Sequence, residues 1–310
     1  MTTVVRSLTE LAALAPHLGA GGLDPVGVAA AWGRARADDR TAFASARIAR
    51  PSTPPPRHGV ALDEALVVAT ARALAGCRHV AVALGGGIDA PVAVLAARRA
   101  GVDVHDAIHV AVPGTSYDER DSARALAEAL DLDLRVVETT ADALASRLPR
   151  AVRLTATPLY NLHPVSRVLA CEAALAIGAD ALLTGDGADQ VAARAAAAPD
   201  YVPIVEAIVR GSGLRLAAPF LDDEVGAALV SKEQLRALAR TWGVPASHAH
   251  APKRPAWAPP LPRAHFPADD IVARLARALD LPLGWSDDDR TNVGIASLAA
   301  LVAAFDVGSV

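Results

Sequence analysis

Short apolar runs alternate with stretches of helical spacing along the middle of the chain, and this alternation restricts the fold more than any other feature. The runs are "HVAVAL" (79–84), "DAIHVAV" (106–112), "LRVVETT" (134–140) and the start of "DALLTGDGADQ" (180–190). A continuous apolar run suits a parallel strand buried on both faces. Helices are predicted at 61–76, from about Pro91 to Arg99, at 116–132, from the "TADALASRLP" stretch (140–149) and at 165–179. Strands separated by helices of this length predict an α/β fold with a doubly wound parallel sheet. Residues 223–310 read as a mainly helical C-terminal part, interrupted by the proline-rich "APKRPAWAPPLPRAHFP" (251–267). Residues 1–48 read as short helices broken by Gly19, Gly21 and Gly22, and "ARPSTPPPRHG" (49–59) reads as a linker because proline has no N–H to give a helix or a central strand. The expected organisation is a short N-terminal helical segment with its linker over 1–60 and one domain over 61–310.

Composition excludes several function classes. At 52% hydrophobic and 21% charged, the chain of 310 residues can bury a large core. A net charge of -4 does not suggest a nucleic-acid binder, which usually shows a basic face, so no nucleic-acid partner is expected. No apolar stretch reaches the roughly 18 residues needed to span a membrane, and the N-terminus lacks the pattern of a secretory signal. The two cysteines, Cys77 and Cys171, form neither a disulfide framework nor a metal pattern. A cytoplasmic protein is the expectation. Only Lys232 and Lys253 among the 30 basic residues are lysines, so a lysine here stands where a generic positive charge would ordinarily be arginine.

Ligands of doubly wound sheets bind at the carboxyl ends of the strands. Two glycine turns fall at such ends, at 85–87 in "VALGGGIDAPVAVL" and at 185–187 in "TGDGADQ". A glycine turn before a helix lets backbone N–H groups approach an anion, and the helix dipole adds to the attraction. The first turn is neither a Walker A loop nor a GxGxxG fingerprint. By itself it is equally a tight strand–helix connection. Asp89 falls at the helix start, where it is either an N-cap or a magnesium ligand. Asp186 and Asp189 lie in the second turn. If the two strands are neighbours, Asp89 and Asp189 can face each other across one cleft, and magnesium commonly takes one or two carboxylates together with phosphate oxygens.

Together these features resemble the synthetase domain of asparagine synthetase and its relatives, the beta-lactam synthetases and lasso-peptide cyclases, which have the adenine nucleotide alpha-hydrolase-like fold. The pyrophosphate loop S-G-G-x-D-S-S of that family corresponds to "GGGIDAP" (85–91), and S-G-E-G-A-D-E to "TGDGADQ" (184–190). "SYDERDSARALAEALDL" follows its Y-D-E…A-R run, and "APFLDDEV" (218–225) its P-F-L-D. The four motifs occur in order over about residues 61–260. The resemblance implies an ATP-dependent, AMP-forming carbon–nitrogen ligase: ATP and Mg2+ adenylate a carboxylate, pyrophosphate is released, and an amine attacks the acyl-adenylate. It implies that Gly85, Gly86, Gly87 and Gly185 cradle phosphate, that Asp89 and Asp189 hold the metal, and that Asp186 has a catalytic place. It implies a lysine near "APKRPAW", where Lys253 and its neighbour Arg254 are the candidates. Tyr160, His163 and Arg167 belong to a segment that approaches the substrate in relatives; Arg167 could hold a carboxylate, while loop and helix-surface roles stand as the alternatives.

The departures from the pattern are specific. Gly85, Ala90 and Pro91 replace the three loop serines, and each lost hydroxyl removes a bond to phosphate worth on the order of 1.5–3 kcal/mol. Gln190 replaces an acid, and Ala217 stands where the family has an arginine. Residues 1–60 are too short for the glutaminase domain of asparagine synthetases, so the nucleophile is expected to be an amine, free ammonia or the product of a separate partner. The expected partners are small-molecule or peptide carboxylates and amines. The rival reading is a pseudoenzyme that keeps the fold and binds a partner protein or peptide; nucleotidyl transfer or thiolation is a third. His248 and His250 lack a third ligand at metal spacing, and "SDDDR" (286–290) reads as a capped helix start.

Overall fold

The computed structural model describes residues 2–31, 39–49, 59–192, 201–249 and 258–307. The chain opens with β1 (Thr3–Val5), α1 (Leu8–Leu18), α2 (Pro25–Ala31) and β2 (Ala46–Ile48). It continues through α3 (Leu62–Leu74), β3 (Val80–Ala83), α4 (Asp89–Arg99), β4 (Asp106–Ala111), α5 (Arg120–Ala129) and β5 (Asp133–Glu138). Three helices follow: α6 (Ala141–Ala145), α7 (Leu148–Thr155) and α8 (His163–Ala176). Next come β6 (Ala181–Leu183), α9 (Ala188–Ala192), α10 (Tyr201–Gly211) and β7 (Arg215–Ala217). The C-terminal part is helical: α11 (Asp223–Ala228), α12 (Lys232–Thr241), α13 (Ala246–Ala249), α14 (Asp269–Leu279) and α15 (Asp289–Phe305).

The central sheet has the order β5-β4-β3-β6-β7, with every pair parallel. Successive strand residues point to opposite faces, so each apolar run feeds two cores. Ala81, Ile108 and Leu182 pack with α1, α7, α8, α10 and α15 on one face. Val80, Val82, Ala107 and Leu183 pack with α3, α4, α5 and α12 on the other. This is the doubly wound arrangement predicted from the alternation. The chain runs outward from β3 to β4 and β5, then returns to place β6 on the other side of β3. That reversal opens a crevice at the carboxyl ends of β3 and β6, where the two glycine turns stand.

Two elements differ from the sequence expectation. β7 was not anticipated, since its three residues, Arg215–Ala217, carry no long apolar run. The N-terminal segment contains, besides its helices, the parallel pair β1 and β2. Its apolar residues join the first core: Phe43, fully buried, meets Phe305 edge to face at 5.9 Å. Asp222 of the P-F-L-D motif ties two helices together. It accepts the Glu224 N–H at 3.0 Å to cap α11 and binds Arg72 of α3 at 2.8 Å.

Candidate functional site

The two glycine turns meet because the second lacks a side chain. A Cβ on Gly185 would lie 2.6 Å from the Ala90 nitrogen and 2.6 Å from the Asp89 Cβ. Gly187 holds φ at +97°, a region that favours glycine, and packs directly under Leu221. This approach sets Asp89, the first residue of α4, across from Asp189 in the first turn of α9. Ile88 occupies the N-cap position and the cap uses no side chain, so the N-cap reading of Asp89 is overturned.

A lysine stands between the two carboxylates. Lys232 Nζ donates to Asp89 Oδ1 at 2.5 Å and to Asp189 Oδ1 at 2.7 Å. Lys232 opens α12 behind the Ser231 cap, the helix end where a cation is disfavoured by the dipole. The two carboxylates offset that cost. Their common contact with one ammonium defines a position where both can reach a single cation, so the donor set suits magnesium, with Lys232 standing in that position here. Among the described residues no cluster of three or more His, Cys, Asp or Glu side chains adds further metal ligands. An anion likewise occupies the loop: Glu119 accepts the Gly86 N–H at 3.2 Å.

A cavity of about 910 Å³ opens from these turns. Gly85, Gly87, Asp89, Gly185, Asp186 and Asp189 line one side. Tyr160, His163 and Arg167 line it too, so the structure brings these predicted residues to one space. Gly86 is not among the lining residues; its N–H is held by Glu119, which lines a separate chamber. Lys253, Arg254 and His250 lie outside the described residues.

The cavity floor is an internally satisfied polar network. Arg167 binds both Asp186 oxygens, at 3.1 and 3.3 Å, and each side chain is only 13% exposed. Its guanidinium is thus engaged by its own chain, and the proximity of Asp186 and Tyr201 holds its charge against the cost of burial. His163 lies in the first turn of α8 with both ring nitrogens occupied: Nδ1 meets the Tyr117 hydroxyl at 2.7 Å and Nε2 the Tyr201 hydroxyl at 2.8 Å. Tyr117 also meets Ser166 Oγ at 2.7 Å. Burial, reinforced by the Arg167 charge, pulls the His163 pKa down to about 4, and burial pushes the Tyr117 phenol up to about 12. The depressed value makes a pH prediction. An unfolded histidine titrates near 6.5, so the neutral native ring contributes fully above about pH 6.5. That contribution is lost as pH falls toward 4. Between pH 7 and 4.5 the wild type should lose about 2–3 kcal/mol more unfolding free energy than His163→Gln. Urea titrations of both at the two pH values check this, and parallel profiles would remove the assignment.

Several residues of the site escaped sequence reasoning. Lys232 carried the same signal as Lys253, being one of two lysines in an arginine-rich chain. Glu119 lay within the quoted Y-D-E run without a role assigned. Arg290 lay in "SDDDR"; Asp288 does cap α15 through the Arg290 N–H at 3.2 Å, as read, but Arg290 lines the cavity. His109 had no signal. Its Nδ1 meets the Leu84 carbonyl at 2.9 Å beside a chamber of about 140 Å³, and burial lowers its pKa.

Comparison with known proteins adds three findings. Residues 61–265 match the family model described as asparagine synthase. A stretch of 77 residues is 34% identical to a protein described as amidase chry2 from Gibberella zeae, covering 25% of this chain and only 12% of that protein. The solved structure of NMN synthetase from Francisella tularensis aligns over 79% of this chain and 92% of its own, with a TM-score of 0.43 and 13% identity.

Proposed function

The chain belongs to the asparagine synthase family, and from that premise we propose that it is an ATP-dependent ligase that adenylates a carboxylate and transfers the acyl group to an amine. The observation that carries the reading is the convergence of Asp89 and Asp189 on one cation at the mouth of the cavity.

In this reading the substrate carboxylate oxygen attacks the α-phosphorus. The bond to the β-phosphate oxygen breaks and pyrophosphate leaves. The amine then adds to the acyl carbon, AMP departs with the electrons of the C–O bond, and the nitrogen gives up a proton. Gly85, Gly86 and Gly87 present backbone N–H groups to the leaving pyrophosphate, which requires Glu119 to release Gly86. Asp89 and Asp189 would hold a magnesium ion, which would supply positive charge to that leaving group. Lys232 must move off the carboxylates to admit it, and its ammonium is then free to face phosphate. Lys253 or Arg254 is the further candidate cation for the acyl-transfer step. Asp186, tied to Arg167, shapes the floor beneath the reacting groups.

A second reading has its own observation. Lys232 and Glu119 already fill the cation and anion positions, and Gly85, Ala90 and Pro91 offer no hydroxyl. That suits a pseudoenzyme in which the sealed turns support binding of a partner protein. Calorimetric titration with a non-hydrolysable ATP analogue separates the two. The ligase reading expects saturable binding that strengthens at least tenfold with magnesium, a gain that Asp189→Asn abolishes. No binding at millimolar nucleotide, with or without magnesium, would favour the pseudoenzyme.

A further inference from the structure

The first glycine turn is held by an anion of its own chain, and a residue able to receive that anion stands beside it. Glu119 accepts the Gly86 N–H at 3.2 Å. A Cβ on Gly85 would lie 3.2 Å from Glu119 Oε2 and one on Gly86 3.1 Å from Oε1, so the carboxylate lies directly against the backbone of the turn. Among the described residues no cation pairs with it. Glu119 also lines the chamber of about 140 Å³ between β3, β4 and α8.

The polar side chains across this chamber are engaged. Tyr117 meets His163 and Ser166, His163 meets Tyr201 as well, and Arg167 is tied to Asp186. His109 of β4 differs. It is 5% exposed, and its Nε2 is buried with no partner among the described residues. The Leu84 carbonyl can only accept, so Nδ1 carries the proton of the neutral ring and Nε2 is a bare acceptor. A buried polar atom left in this state calls for an explanation.

The charges around the ring narrow the choice of partner. Glu119, Asp118 and Arg120 act on it from the start of α5. Arg120 donates to both Asp118 oxygens, each at 2.7 Å, and also binds Glu138 of β5. From α8, His163 and Arg167 face the same chamber and have their own partners. Glu119 is therefore the acid with no cation. A carboxylate and a bare imidazole nitrogen are both acceptors, so they pair only with a proton between them.

We propose that Glu119 is a displaceable plug of the phosphate-binding turn and that His109 receives it. An incoming phosphate oxygen takes the Gly86 N–H, and the Glu119 carboxylate turns into the chamber. His109 Nε2 then binds a proton from solvent and donates it to that carboxylate in a hydrogen bond. The ring is neutral while Glu119 holds Gly86 and charged once Glu119 has left, so binding consumes a proton and strengthens as pH falls. The proposal rests on the reading of this turn as a phosphate site, and on no other step of the ligase chemistry.

The probe is inorganic pyrophosphate, titrated calorimetrically into the full chain in pairs of buffers that differ in ionisation enthalpy. The pairs give the protons taken up on binding, and the titration of the probe itself is common to every variant. At pH 7.5 the wild type should take up about half a proton or more beyond Glu119→Gln and beyond His109→Gln. Between pH 8 and pH 6 its affinity should rise about tenfold more than that of either variant. Asp121→Asn, which removes an equal charge from the exposed side of α5, should keep the wild-type uptake. Should the buried substitution His109→Gln fail to fold, nitrogen NMR of the histidine rings in the wild type replaces it, with pyrophosphate expected to protonate His109 Nε2. Uptake that survives in Glu119→Gln or in folded His109→Gln, an unprotonated Nε2 in the bound wild type, or no pyrophosphate binding by the wild type even at pH 6 overturns the proposal. The ATP-analogue titration reads the ligase function separately. Proton-coupled pyrophosphate binding without nucleotide binding removes the ligase reading alone, and nucleotide binding without that coupling removes the plug alone.

Discussion

Asp186→Ala is expected to lower the unfolding free energy by about 3–5 kcal/mol, the largest stability change among the site residues. The reason is the position of its partner. Arg167 sits 13% exposed on the cavity floor, and both of its contacts with Asp186 come from one guanidinium nitrogen. Removing the carboxylate leaves a guanidinium out of water with no opposite charge to match it. Its other neighbours, Tyr201 and His163, offer dipoles and no negative charge at neutral pH, since burial holds the Tyr201 phenol well above its usual pKa and the His163 ring neutral. The double substitution Arg167→Met with Asp186→Leu should recover most of the loss, because a buried pair replaced as a unit by apolar side chains is often neutral. Urea unfolding of the wild type, the single variant and the double variant completes the comparison. A loss below about 1 kcal/mol in Asp186→Ala would mean that water reaches the pair and screens it.

Lys232→Met should have the largest effect on function. On the ligase reading it should cut pyrophosphate release by on the order of 100-fold or more, the scale seen when one stabilising group at a developing charge is lost. Its effect on folding should be much smaller. The Lys232, Asp89 and Asp189 side chains are 25%, 24% and 40% exposed, and ion pairs that solvent reaches contribute about 1 kcal/mol or less. Lys232→Arg should fall between, keeping the charge while exchanging a compact ammonium for a fork too wide for the gap between two carboxylates. Pyrophosphate release measured across a panel of acids and amines gives the readout, with thermal melts showing that the variants remain folded. Full activity in Lys232→Met would remove Lys232 from the reaction and leave it a structural bridge.

The doubly wound sheet was legible because its signal is local. An apolar run of strand length between helical stretches can be read one segment at a time, and the β3, β4, β5 and β6 runs all lie where the alternation puts them. The same holds for the two glycine turns, whose place at strand ends follows from the strands themselves. Local signals failed where the element was short or its partner remote. β7 has three residues and owes its place to pairing with β6. The N-terminal segment read as a separate unit because nothing nearby announces that Phe43 will meet Phe305.

The sequence by itself determined the parallel sheet, the two Gly–Asp turns and hence the family, since each depends on residue types within a few positions of one another. Only the tertiary structure decided which charge meets which. Lys232 reaches Asp89 across 143 positions and Asp189 across 43, and Arg167 turns to Asp186 while Arg290 stacks on Tyr160. Coulomb attraction falls with distance in space and takes no account of distance along the chain. The partners of a charged side chain are therefore chosen by the folding of the whole domain.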